Sequence, residues 1–269
     1  PRVSPDGRRV AVDITEAATR DIWLLERRDS SLTRLSFEPG GHDPMWTPDG
    51  RTVVFAANAG GSAGIYRRNA DGSGAADSVL VVAEQLTAHT AGGPGRVLAV
   101  RIGSNGQDIL SVPLAGERRE ATAVLAAPYV EAWPALSPDG RWLAYVSDES
   151  GRTEVYVRPF PGPGPRSIVS QNGGSEPMWA RSGRELFYKA TAPGPVLISA
   201  TFAVIGGQAT VSTRRVLFSI AEYENAAPHA NYDVMPDGSG FVMVRLGRAS
   251  ELGIIQNWTE IVRRQGGSR

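Results

Sequence analysis

The chain predicts an all-β protein built from one four-stranded unit repeated six times. Three observations carry that expectation. The tripeptide Pro-Asp-Gly recurs as Pro5-Asp6-Gly7, Pro48-Asp49-Gly50, Pro138-Asp139-Gly140 and Pro236-Asp237-Gly238. Weaker copies, Gly93-Pro94-Gly95-Arg96 and Arg181-Ser182-Gly183-Arg184, fill the gaps. With the glycine as register, the turns fall at Gly7, Gly50, Gly95, Gly140, Gly183 and Gly238, at intervals of 43, 45, 45, 43 and 55 residues. Short runs of strand-forming residues follow each register point. A period of about 40–45 residues with several short strands per unit is the signature of the blades of a β-propeller.

Each unit opens with a strand that enters the turn, as in Pro44-Met45-Trp46-Thr47 and Pro177-Met178-Trp179-Ala180. In the turn itself, proline presets φ and aspartate bonds its own backbone two residues on. Glycine takes a positive φ without a Cβ clash. The second strand is an apolar run: Val10-Ala11-Val12, Val53-Val54-Phe55-Ala56, Leu143-Ala144-Tyr145-Val146. A polar hairpin such as Ser147-Asp148-Glu149-Ser150-Gly151 leads to a third strand, Asp21-Ile22-Trp23-Leu24 or Glu154-Val155-Tyr156-Val157. The fourth follows a Gly/Pro-rich or charged turn, as at Leu32-Thr33-Arg34-Leu35 and Arg215-Val216-Leu217-Phe218. The 31 glycines and 19 prolines are then turn residues for about two dozen strands. Even Pro159-Phe160-Pro161-Gly162-Pro163-Gly164-Pro165, a linker by composition, falls where a blade's third strand joins its fourth.

The last unit departs from the pattern. It lacks a fourth strand of the usual kind, and Thr259 to Arg264 is expected to form a short terminal helix capped by Thr259. The 55-residue interval is expected to hold its insertion between Glu222 and Asn231. The domain reading is one propeller spanning residues 1–269.

Composition narrows function mostly by exclusion. Lys+Arg and Asp+Glu both number 28, so there is no positive excess for nucleic acid or an anionic membrane. No cysteine is present, hence no disulfide, thiolate ligand or thiol nucleophile. No window approaches the ~18 apolar residues of a membrane span. The chain starts at Pro1, already inside a repeat, and is expected to be part of a longer polypeptide.

The Ser-Pro-Asp-Gly-Arg turn followed by Asp-Ile-Trp or Glu-Val-Tyr resembles the TolB-type propeller repeat. The stretches 1–12, 150–162, 231–238 and 256–260 resemble, more narrowly, the propeller attached to bacterial serine/threonine protein kinases. That resemblance implies an N-terminal kinase, often across a membrane segment, an extracytoplasmic propeller, and a seven-unit ring of which six units are present. No phosphate loop, His-Arg-Asp or Asp-Phe-Gly occurs in the chain itself.

Motifs that could carry chemistry fare poorly. Gly60-Gly61-Ser62-Ala63-Gly64 matches the nucleophile elbow Gly-x-Ser-x-Gly, but it joins two strands, whereas an elbow joins a strand to a helix. The loop from Asn69 to Asp77 lacks the full calcium pattern. His42, His89 and His229 have no ligand-spaced partner and read as surface or loop residues, so no metal site and no cofactor are expected. Asn257-Trp258-Thr259 is a chance glycosylation sequon, and the tryptophans are packing residues between blades.

One hint remains. His42, Asp43, Glu131, Glu176, His229 and Asn231 lie where chain enters the innermost strands, and so are expected at the mouth of the axial channel. The function expected on these grounds is a non-catalytic module that binds a protein, peptide or small ligand there, as part of a kinase. The alternatives are the propeller of a prolyl-oligopeptidase-like serine peptidase and a TolB-like periplasmic scaffold.

Overall fold

The computed structural model describes residues 1–256 apart from 18, 38–39, 60, 92–94, 105, 117–118, 193, 226 and 248–250. Among these residues every regular element is a strand, and the 23 strands form six antiparallel sheets in simple meander order. The first sheet is β1 (Arg2–Val3), β2 (Arg9–Glu16), β3 (Thr19–Glu26) and β4 (Leu32–Arg34). The second is β5 (His42–Trp46), β6 (Thr52–Ala59), β7 (Ser62–Asn69) and β8 (Asp77–Val82). The third is β9 (Gln85–Ala91), β10 (Arg96–Gly103), β11 (Gly106–Pro113) and β12 (Thr122–Leu125). The fourth is β13 (Glu131–Leu136), β14 (Trp142–Ser147), β15 (Glu154–Pro159) and β16 (Ser167–Ile168). The fifth is β17 (Ser175–Trp179), β18 (Glu185–Ala190), β19 (Val196–Ile205) and β20 (Gln208–Ser219). The sixth has three strands, β21 (Tyr232–Val234), β22 (Gly240–Arg245) and β23 (Glu251–Gln256). No helix among the described residues is long and apolar enough to cross a membrane.

The repeated turn works as its residues dictate. Ser4 Oγ donates to Asp6 Oδ1 at 2.6 Å, the Arg8 N–H donates to the same oxygen at 3.0 Å, and the Gly7 N–H closes on Ser4 O at 2.8 Å. Thr47 with Asp49 and Ser137 with Asp139 repeat the pattern. At the degenerate copy Ser182 Oγ stands in for the carboxylate, accepting from the Arg184 N–H at 3.3 Å. All six register glycines have φ between 66° and 72°. The aspartates are therefore hairpin residues joining the first and second strands, and the chemistry they do is conformational.

These bonds carry a pH signature. Hydrogen bonds from Ser4 and Thr47 hold Asp6 and Asp49 below the usual carboxylate range; at Asp139 burial pushes upward, but the bonds from Ser137 and the Arg141 N–H outweigh it. A folded-state pKa below the unfolded ~3.9 contributes stability that is present above that value and lost as pH falls through the folded one. Urea midpoints measured downward from about pH 5 should therefore fall steeply below about pH 4. A triple Asp6→Asn, Asp49→Asn, Asp139→Asn variant should show a shallower fall.

The middle strands show why the pattern reads as near-continuous apolar runs. Side chains alternate by face along a strand, and β6 is buried on both. Val54 and Ala56 pack toward the third sheet with Leu86, Val97 and Val112. Val53, Phe55 and Ala57 pack toward the first sheet with Ile22, Leu24 and Leu35. Tryptophans lock neighbouring sheets: Trp46 Nε1 donates to Arg2 O and Trp179 Nε1 to Ala135 O, both at 3.0 Å and both across 44 residues, one repeat period.

The chain folds as two compact units. The first is 1–134 with 228–230; the second is 135–227 with 231–269. The division falls inside β13. The core of the second unit is aromatic: Phe241 meets Phe187 edge-on at 5.0 Å and Phe218 at 5.8 Å.

Two expectations are corrected here. The extra length of the 55-residue interval is not confined to the stretch from Glu222 to Asn231, because β19 and β20 also extend into a hairpin of 10 and 12 residues. Ile205, at its tip, is exposed. His89 is neither a surface nor a loop residue: it lies buried in β9. The terminal helix, the sequon and Trp258 lie outside the described residues, as do Gly93 and Pro94.

Candidate functional site

Two first strands begin with one device. Gly40-Gly41-His42-Asp43-Pro44-Met45-Trp46 enters β5, and Gly173-Gly174-Ser175-Glu176-Pro177-Met178-Trp179 enters β17. The acid stands directly before proline, a place that normally forces extended backbone. Here Asp43 has φ 51° and Glu176 φ 50°, and Trp133, before Pro134, has φ 46°. The ladder register slips at the same points, between His42 and Met45 and between Ser175 and Met178. Such a bulge re-aims a side chain, and both carboxylates end up buried. The second glycine makes room: a Cβ on Gly41 would lie 2.7 Å from Phe55 Cδ2, and one on Gly174 would lie 2.7 Å from Ser170 Cβ.

In the first unit, Asp43 sits between two histidines. His42 Nδ1 lies 2.8 Å from Oδ2 and His229 Nδ1 lies 2.8 Å from Oδ1. The rings meet edge to face with centroids 5.8 Å apart. Arg20 Nη1 lies 3.3 Å from His229 Nε2. A guanidinium can only donate, so that nitrogen accepts and the ring's proton sits on Nδ1, pointed at Asp43. Burial pushes the Asp43 carboxyl upward, but the hydrogen bonds from His229 and His42 outweigh it and hold the group well below the usual carboxylate range. Nearby, His89 bonds Thr87 Oγ1 at 2.9 Å, and burial pushes its pKa down to about 4.

This cluster borders a cavity of about 640 Å³, lined by His42, His229, Arg20, Arg34, Phe37 and Thr87 among others. The volume is that of a small-molecule or side-chain site. Its arginines are held in place: Arg20 pairs with Asp13, and Arg34 reaches Asp21 at 2.6 Å while lying over the Phe37 ring.

In the second unit, Glu176 is the centre of a buried clamp. Oε1 accepts from Lys189 Nζ at 2.9 Å, and Oε2 accepts from the Asn231 N–H at 2.8 Å. Tyr232 Oη donates to the Glu176 carbonyl at 2.8 Å. Lys189 Nζ also donates to Glu224 O and faces the Tyr232 ring.

Of the six residues expected at a channel mouth, the structure thus groups His42, Asp43 and His229 in one unit, and Glu176 with Asn231 in the other. Glu131 holds a loop, its carboxylate accepting from the Ala127 N–H at 3.1 Å. Lys189 and Arg20 were not among the expected residues. A signal for Lys189 was present: it is the chain's only lysine, and it directly follows the run Leu186-Phe187-Tyr188. Ser62 opens β7 opposite Ala59 in a tight hairpin, not at a helix N-terminus. The loop after Asn69 is a polar turn, with the Ser73 N–H on Asp71 and Asp77 paired to Arg67 and Arg119.

No family model matches the chain. A curated relative, the uncharacterized peptidase YuxL of Bacillus subtilis (strain 168), is 28% identical over 165 residues. Those residues cover 58% of this chain but only 24% of the relative, so the chain spans about a quarter of that protein's length. Among solved structures, TolB from Acinetobacter baumannii matches with a TM-score of 0.63 at 17% identity, covering 75% of this chain and 51% of that one. A puromycin-hydrolyzing peptidase of Mycobacterium tuberculosis matches with a TM-score of 0.63 at 19% identity, covering 96% of this chain and 46% of that one. The fold is therefore a β-propeller of the TolB-like kind, shared with peptidase propellers. The kinase-specific part of the resemblance has no support in these matches. The expectation that this chain has no enzymatic role of its own is corrected by them, since the curated relative is named a peptidase and a structural match is to another.

Proposed function

We propose that residues 1–269 form the propeller domain of a peptidase, of the serine type in which a propeller accompanies a separate hydrolase domain. The observation that carries this is the 165-residue match to a protein named as a peptidase. The fold match over 96% of the chain to a second peptidase supports it. Within this reading the propeller admits and orients a peptide substrate or product, and the cavity beside His42 and His229 is its contact site. Arg20 and Arg34, fixed by their aspartates, present donors to peptide carbonyls or a terminal carboxylate, and Phe37 offers an apolar face. Ser62 takes no part in the chemistry, because its hairpin gives it neither a helix dipole nor an elbow.

The test is the full-length gene product that carries this chain. It should take a serine-directed fluorophosphonate label and hydrolyse aminoacyl anilides, and Ser62→Ala should leave both unchanged. Absence of label and of hydrolysis overturns the proposal. Loss of both in the Ser62→Ala protein overturns the assignment of the nucleophile to a separate domain.

A further inference from the structure

We propose that His42, Asp43 and His229 form a binding site for one divalent first-row transition ion of the zinc class, open to the adjoining cavity. One donor atom from each of the three residues lies within 4.8 Å of the other two. Two imidazoles and one carboxylate are a ligand set suited to zinc, iron, cobalt or nickel, and three protein ligands leave a position for water or substrate. Bonds of ~2.1 Å place tetrahedral ligands roughly 3.4 Å apart. The two Nδ1–oxygen contacts, each 2.8 Å and each to a different oxygen of Asp43, have to open slightly and the two rings have to draw together to reach that geometry.

The set is held ready by the backbone. The bulge before Pro44 buries the carboxylate, and His42, as its chain neighbour, has little freedom to leave it. His229 is brought in from 186 residues away and is steadied on both sides. The Trp133 indole donates to its carbonyl at 3.3 Å, and Arg20 contacts its ring. The proton balance is simple. Each ring's single N–H moves from Nδ1 to Nε2 when Nδ1 takes the ion, and no other group changes protonation. Arg20, which then faces an N–H instead of a lone pair, falls back on Asp13, with which it is already paired.

The contrasting outcome is a purely structural clasp, in which Asp43 ties down residues 228–230 and binds no ion. The chain has only three histidines, so nitrogen-15 imidazole spectra of the chelator-treated protein resolve the question directly. On titration with Zn²⁺, the His42 and His229 Nδ1 resonances should move and saturate at one equivalent, while His89 keeps the signature of its bond to Thr87. Co²⁺ should give a d–d spectrum at the same stoichiometry. In His229→Ala, affinity should fall by more than the ~10–100-fold typical of a mere supporting residue, while Glu131→Gln should bind as the unaltered protein does. Unmoved Nδ1 resonances in the folded unaltered protein overturn the proposal, whatever the variants do. So does equal binding by a His229→Ala protein that melts normally.

Discussion

Replacing Lys189 with methionine is expected to destabilise the protein by about 3–5 kcal/mol, the cost of stranding a buried partner charge. Lys189 and Glu176 are each only 2% exposed, so solvent screening does little to soften the loss. The Glu176 carboxylate would keep the Asn231 N–H but lose its cation, and the Glu224 carbonyl would lose its donor. A buried pair is weak evidence for stability as a pair, because desolvation offsets its attraction. Hence the double variant Lys189→Met, Glu176→Gln should recover most of the loss, with the new amide oxygen still accepting from Asn231. Urea denaturation of the three proteins measures both effects. A single-variant cost below about 1 kcal/mol would show that the clamp is not desolvated as described. Because Lys189 is the chain's only lysine, an amine-directed reagent gives an independent reading. Modification of that residue should proceed only as fast as the second unit opens.

The repeat was legible because it rests on local chemistry. Ser4, Asp6 and Gly7 lie within four residues, and their bonds follow from residue type and spacing alone. The apolar second strands were legible for the same reason. The site was legible only as a set of names. His42 and Asp43 are adjacent, but His229 is joined to them by a fold-level return, and no spacing rule predicts a partner 186 residues away. The positive φ at Asp43 and Glu176 ran against a local rule, since the residue before proline is ordinarily extended. His89 misled because polar residues alternate with apolar ones along β9, a pattern that normally marks one solvated face. In a first strand both faces are covered, and His89 is buried with Thr87. The kinase resemblance found no support, and the expectation of no enzymatic role was overturned, for another reason: turns and strands report the blade, and many proteins with different chemistry carry the same blade.

The backing of the His42–Asp43 bulge yields the second large effect. Phe55→Ala is expected to cost about 3–5 kcal/mol, the usual range for deleting a fully buried ring. Phe55 is fully buried, stacks on Tyr66 with centroids 6.0 Å apart, and packs against Ile22 and Gly41. Gly41→Ala is expected to cost about 1–3 kcal/mol for the opposite reason, overpacking. Its Cβ would meet Phe55 Cδ2 at 2.7 Å and Ile22 Cγ1 at 2.9 Å, and neither side chain has room to retreat. The two changes share one space. With the ring gone, the added methyl enters the cavity that Phe55→Ala leaves, so the double variant should lose less than the sum of the singles. Contacting residues commonly couple by about 0.5–3 kcal/mol, and the coupling here should fall in that range. Strict additivity in a double-mutant cycle would mean that Gly41 is not there for the ring. Coupling would tie the core directly to the site, because Gly41 precedes the two residues whose backbone aims the Asp43 carboxylate at His229. Thus Phe55 would set that geometry without touching either histidine.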